Sequence, residues 1–217
     1  MSPTPAPQHA PLDDQRPAHR AQSPALVRIA ERIEQDERLD GAVAALRPAA
    51  QALVAGRARR ALLQGRPLGH ALHPLLTDAP LGAWMSATAL DVVGGDAARP
   101  AARRLVGLGV LSAVPTALTG LAEWAHTGQR DSRVGVVHAV SNTLTLALYG
   151  ASYLARRRER HALGTAWGLA GALTAGIGGF LGAHLALARN VASRDVAFAE
   201  SIPGDQRTVG PAPDDPA

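Results

Sequence analysis

The chain has 217 residues, 47% of them hydrophobic and 18% charged, with no cysteine and a mean hydropathy of +0.00. That apolar content excludes a fully disordered chain. The missing thiols exclude disulfides, Cys zinc sites, thiolate catalysis, Fe–S ligation and c-type haem attachment. All 22 basic residues are Arg, in a sequence rich in Ala and Gly. The net charge of +4 and pI of 10.8 follow that bias and give no argument for a nucleic-acid partner.

Residues 1–24 are rich in Pro, Ala and Gln and contain no apolar run. They read as a disordered tail and not as a signal peptide. Ser23-Pro24 is a helix start, with Ser as N-cap and Pro at the first helical position. A charged, amphipathic helical segment follows over 25–66. Its first helix runs to about Leu39, Asp40 is expected to cap a second, and Pro48 to interrupt it. Leu39, Val43, Leu46, Leu53 and Val54 form an apolar stripe with Arg47, Arg57, Arg59 and Arg60 nearby. That pattern suits a helix at the membrane surface. It equally suits a helix packed on the rest of the protein.

The mean hydropathy of zero is a cancellation. Of the charged residues, 17 lie in 1–66 and 8 in 189–217, leaving 15 for the 122 residues between. Residues 105–122, 134–155 and 161–188 carry no formal charge, and 67–90 carry only Asp78. A spanning helix needs about 17–25 predominantly apolar residues. The expected fold is therefore all-α: an up-down four-helix transmembrane bundle over 67–190. Its spans are placed near 75–94, 104–124, 134–155 and 163–187. Residues 191–217 read as a second disordered tail. Four spans put both termini on one side, and a charged N-terminal region without a signal sequence favours the cytoplasm. The flanking Arg residues, eight against seven, do not choose between orientations.

Up-down order collects polar groups at the terminal end. His70, His73 and Asp78 start the first span, and Glu123, Trp124 and His126 end the second. His138 and Asn142 open the third, and His184 closes the fourth. Only Asp91 and His161 lie toward the other end. Ser112, Thr116, Thr119 and Glu123 fall on one helical face, as do His138, Ser141, Asn142, Thr145, Tyr149 and Ser152. Such stripes should face the bundle and would bring Glu123 close to His138. In the fourth span Gly164, Gly168, Gly171, Ala175, Gly178 or Gly179, and Gly182 make a stripe for close helix contact. His184 lies off that stripe. Pro80 and Pro115 free the carbonyls of Leu76 and Leu111 for other donors.

Several segments are distinctive together: Gly69-His70-Ala71-Leu72-His73-Pro74-Leu75-Leu76-Thr77-Asp78-Ala79-Pro80-Leu81-Gly82-Ala83-Trp84; Asp91 with Gly94-Gly95; Pro115-Thr116-Ala117-Leu118-Thr119-Gly120-Leu121-Ala122-Glu123-Trp124; Val137-His138-Ala139 with Asn142; and Gly182-Ala183-His184-Leu185. Over roughly residues 37–190 they resemble the bacterial membrane-domain family catalogued as domain of unknown function 2231. The resemblance implies a four-helix integral domain in the bacterial cytoplasmic (inner) membrane. Some relatives carry a Rieske-type Fe–S domain. A chain without Cys cannot hold such a cluster, so a redox partner is expected to be a separate protein.

Three functions follow. The first is a structural or interaction module with a polar cluster of Asp78, Glu123, Asn142, Trp84 and Trp124 at one membrane face. The second is an electron-transfer subunit holding b-type haem or a metal. Its expected ligands are His138 and His184, with His70 or His73 as replacements, and Glu123 or Asp78 as acceptors for the ring N–H groups. The third is a proton or ion pathway. The expected partners are the lipid bilayer and a second copy of the chain, held through the Gly-rich fourth helix. No nucleophile elbow, phosphate loop or metalloprotease motif is present.

Overall fold

The computed structural model describes residues 23–193 and 195. The expected tails fall almost entirely outside the described residues. Within them the secondary structure is helical, with no strand.

Helix α1 spans Ala25–Gln35 and is preceded by Pro24 at the cap position, one residue later than expected and without a side-chain cap. Helix α2, Asp40–Leu53, runs through Pro48 instead of breaking there. Val43 and Ala50 are buried on either side of the proline. Their packing outweighs the roughly 3 kcal/mol that an interior proline costs. Asp40 caps nothing, since Leu39 holds the cap position. Helix α3 is short, Arg57–Leu63. Val43, Ala50 and Val54 form one buried cluster with Ala122, Trp124, Ala125 and Val136. Val43, Leu53 and Val54 of the apolar stripe thus pack on the protein itself, while Leu46 is exposed.

Four longer helices follow: α4 Leu72–Val93, α5 Arg99–Trp124, α6 Gln129–Arg157 and α7 His161–Ala183, the last continued by a π-turn at His184–Ala188. Among the described residues, three segments are long and apolar enough to cross a membrane: Asp96–Trp124, Gln129–Arg157 and His161–Ala188. Helix α4 is not among them. His73, Asp78, Asp91 and two prolines lower its hydropathy. Helices α4 and α5 pack closely as one hairpin, and α6 and α7 as another. Sparser contacts of α5 with α6 and α4 with α7 join the hairpins. Leu75, Met85, Val92, Leu111, Val140, Leu173 and Ile177 are exposed on the outside. So large an uncovered apolar surface is what a bilayer would cover.

Two backbone details hold this arrangement. Gly95 between the first two long helices has φ 58 and ψ −161, a region essentially reserved for glycine. The Leu76 carbonyl, freed by Pro80, accepts a hydrogen bond from Thr116 Oγ1 at 3.1 Å. A neighbouring helix therefore satisfies the group that the proline orphans.

The small-residue stripe of α7 faces α6. A Cβ added at Gly164, Gly171, Gly178 or Gly182 would meet Arg156, Tyr149, Asn142 or His138 respectively. The stripe thus packs within the chain.

Candidate functional site

The two hairpins carry an internal repeat. Gly109-Val110-Leu111-Ser112-Ala113 in α5 matches Gly171-Ala172-Leu173-Thr174-Ala175 in α7, 62 positions on. Ser112 Oγ donates to the carbonyls of Leu108 and Gly109, and Thr174 Oγ1 to those of Ala170 and Gly171. Helices α4 and α6 correspond at a spacing of 65. Three residues of α4 each meet their own equivalent in α6. His73 meets His138, Trp84 meets Tyr149, and Asp91 meets Arg156. These pairs define a pseudo-two-fold axis along the bundle and fill its centre in three layers.

The His73 and His138 rings have centroids 6.2 Å apart and planes at 83°. Nδ1 of His73 is 2.9 Å from the Thr116 carbonyl, and Nδ1 of His138 is 2.9 Å from the Gly178 carbonyl. With each Nδ1–H donating to a carbonyl, Nε2 carries the free lone pair. Each ring lies against a glycine of its own hairpin. A Cβ at Gly120 would fall 2.8 Å from His73 Cε1, and one at Gly182 would fall 2.9 Å from His138 Cε1. Asn142, one turn after His138, donates to the His138 carbonyl and places Nδ2 3.2 Å from its Nε2.

In the middle layer the Trp84 and Tyr149 rings stack at 4.1 Å with 5° between planes. Trp84 Nε1 donates to the Val106 carbonyl at 3.4 Å, and Thr88 Oγ1 to the Trp84 carbonyl at 3.0 Å. At the far end the Arg156 guanidinium holds both Asp91 oxygens, at 2.8 and 2.5 Å. Arg156 is 1% and Asp91 11% exposed. Nε of Arg156 also donates to Ser152 Oγ, which donates to the Gly164 carbonyl.

The polar groups at the terminal end are drawn to the N-terminal helices and the C-terminal segment. His184 Nε2 lies 2.8 Å from Glu34 in α1, not on the axis with His138. Its place off the glycine stripe turns it away from α6. Glu123 also does not approach His138. Its Oε2 accepts from the Ser193 backbone N–H and hydroxyl at 2.9 and 2.7 Å. Thr116 and Thr119 are buried within the bundle, whereas Glu123 one turn on lies beneath residue 193. His70 and Asp78 are exposed. Trp124 donates from Nε1 to the Ser132 carbonyl, and the Arg47 guanidinium stands 5.2 Å from its ring centroid.

Asp40 shows how residues 25–66 are fastened. Arg133 in α6 donates to both its oxygens, at 2.6 and 2.8 Å, and Gln129 donates to Oδ1. Arg133 also donates to the Glu34 carbonyl. These bonds, Arg133 first, lower the Asp40 pKa from 3.8 to about 2. A depressed carboxylate stabilises the docked state above its unfolded pKa, and that contribution is lost as pH falls through the folded value. Protease resistance of 25–66 in the detergent-solubilised protein should hold from neutrality to about pH 4 and decline toward pH 2. Arg133→Ala should loosen the segment already at pH 7. Unchanged cleavage in that variant would remove the tether assignment.

Sequence reasoning missed Arg156, Tyr149 and Glu34 as partners in these clusters. The 65-residue spacing from Asp91 to Arg156 and from Trp84 to Tyr149 was the available signal for two of them. Among the described residues, three helices long and apolar enough to cross a membrane point to a membrane protein. The family model described as predicted membrane protein (DUF2231) matches residues 69–195, more than half of the chain. The chain belongs to that family. The match begins after α3, so helices α1 to α3 lie outside it. No curated protein and no solved structure matches the chain.

Proposed function

We propose that this protein is a four-span membrane module with a structural or interaction role, in which α4 crosses with α5, α6 and α7 in up-down order. The observation that carries it is the self-pairing of α4 with α6 about the pseudo-two-fold axis. A helix that supplies half of every central layer belongs inside the same bilayer as its equivalent. The polar groups of α4 do not oppose this. His73 and Asp91 face partners across the axis, and Asp78 lies near the helix start, where a carboxylate costs least. Both ends of the four-helix region then lie on one side, joined by hydrogen bonds of residues 69 and 71 with 195 and 193. The membrane is the bacterial cytoplasmic membrane, with the termini in the cytoplasm.

The absence of native Cys gives a clean test. Single cysteines at Thr127 and Val191 should react with an impermeant maleimide from one side of sealed vesicles. Cysteines at Ala97 and Glu159 should react only from the other. Labelling of Ala97→Cys and Thr127→Cys from the same side would overturn the four-span topology.

A second reading, an electron-transfer subunit working with a separate redox protein, is favoured by one observation. His73 and His138 face each other on the axis with both Nδ1 atoms anchored to main-chain carbonyls. Fixing one ring nitrogen on a carbonyl is how proteins orient a ligating imidazole.

A further inference from the structure

We propose that His73 and His138 are the two axial ligands of one iron tetrapyrrole bound between the hairpins. The inference rests on the second reading above and names its ligand class. Three observations lead there.

The first is separation. Two imidazoles on opposite sides of one metal, each at a bond length of ~2.0–2.1 Å, place their ring centroids about 6 Å apart once half a ring is added on each side. The observed centroid distance is 6.2 Å. The 83° between planes is no obstacle, because an axial ring is free to turn about its bond to the metal.

The second is protonation and orientation. Both Nδ1 atoms are engaged by carbonyls of the helix paired with their own, Thr116 for His73 and Gly178 for His138. Each Nε2 is the nitrogen left to coordinate. Asn142 Nδ2 stands 3.2 Å from His138 Nε2 and 3.3 Å from its Nδ1, against the ring and off the Nε2 lone-pair direction.

The third is the donor count. Among the described residues no group of three or more His, Asp or Glu gathers to hold an ion. A bare ion would keep only two protein ligands here, fewer than the three or four of protein zinc sites. A metal that brings four equatorial nitrogens needs only these two, which is haem chemistry. The place also fits, since ligand sites in repeat-built membrane proteins lie at the interface between repeats. The ring would lie between the hairpins, whose mutual contacts are sparser than those inside each one.

The test uses the full chain in detergent micelles, titrated with hemin and followed by absorption. The expected result is saturable binding near one equivalent with a low-spin, six-coordinate spectrum. His73→Ala and His138→Ala should each lose the low-spin form, and added imidazole should restore it in either variant. His161→Ala, at the other end of the bundle, should behave as wild type. Imidazole rescue separates a lost ligand from a lost fold, which size-exclusion chromatography checks in parallel. Three outcomes would overturn the assignment. One is a monodisperse wild-type protein with no saturable spectral change. Another is a low-spin spectrum that survives both His variants. The third is stoichiometric Zn²⁺ binding that depends on both residues without any hemin binding, which would assign the pair to a free ion. None of these alters the expected cysteine labelling, so failure here is distinguishable from failure of the four-span topology.

Discussion

Arg156→Ala should destabilise the folded protein by roughly 3–5 kcal/mol, the cost of leaving one member of a buried ion pair alone. Its guanidinium is almost wholly buried, and both Asp91 oxygens depend on it. Removing Arg156 strands a carboxylate in a helix whose neighbours are apolar. Asp91→Ala strands the guanidinium, though Ser152 still accepts from its Nε. The double variant Asp91→Leu/Arg156→Leu should cost less than either single change, because no charge is left buried without a partner. Unfolding by SDS in mixed micelles, followed by tryptophan fluorescence, gives the three values. Single variants that unfold at the wild-type midpoint would show the pair to be dispensable. The pair also orders the fold. Two copies of the first hairpin would oppose Asp91 to Asp91, and two copies of the second Arg156 to Arg156. Only the mixed pairing satisfies both charges.

Gly109→Ala should be among the most damaging single methyl additions to the bundle. Its Cβ would fall 2.2 Å from Trp84 Nε1 and 2.5 Å from Cδ1. The indole cannot retreat, because Tyr149 is stacked on it at 4.1 Å. Overpacking of a closed core costs about 1–3 kcal/mol and occasionally more. Gly171→Ala should be milder, since the nearest Tyr149 atoms lie at 2.9 Å. Gly176→Ala and Gly179→Ala meet nothing within 4 Å and serve as controls. They should be neutral or stabilising by up to about 1 kcal/mol, the helix-propensity difference between Gly and Ala. The same SDS titration ranks the four variants. A Gly109→Ala protein as stable as the controls would show that the Trp84 layer yields more readily than its geometry implies.

Much of the fold was legible from the spacing of charges. Three long gaps between short Arg-bearing turns gave α5, α6 and α7, each recovered by length and hydropathy. Helix α4 was legible as a helix but stands apart in hydropathy, because its His and Asp residues serve the axis. Pro80 pointed correctly to the Leu76 carbonyl as a group needing a donor, and Thr116 supplies it. Pro48 misled, because local propensity loses to burial of Val43 and Ala50.

The candidate site was legible only in part. His73, His138 and Asn142 were selected as polar residues at one level, and they do converge. His184 and Glu123 stood at a similar level on the same chemical grounds, yet they turn to Glu34 and Ser193. Height along a helix follows from residue number alone. Azimuth depends on which neighbour each face packs against, and that neighbour lies 70 to 150 residues away for these two side chains.

The sequence by itself determined the helical class, the apolar lengths of the bundle, the thiol-free chemistry and the polar character of one end. Tertiary structure decided which polar groups meet. Glycines at 109, 120, 171 and 182 let side chains of each hairpin lie flush against the helix beside them. Only then do His73, Trp84 and Asp91 reach His138, Tyr149 and Arg156 across the axis. Those contacts join residues far apart in the chain, and periodicity within one helix contains no information about a partner on another.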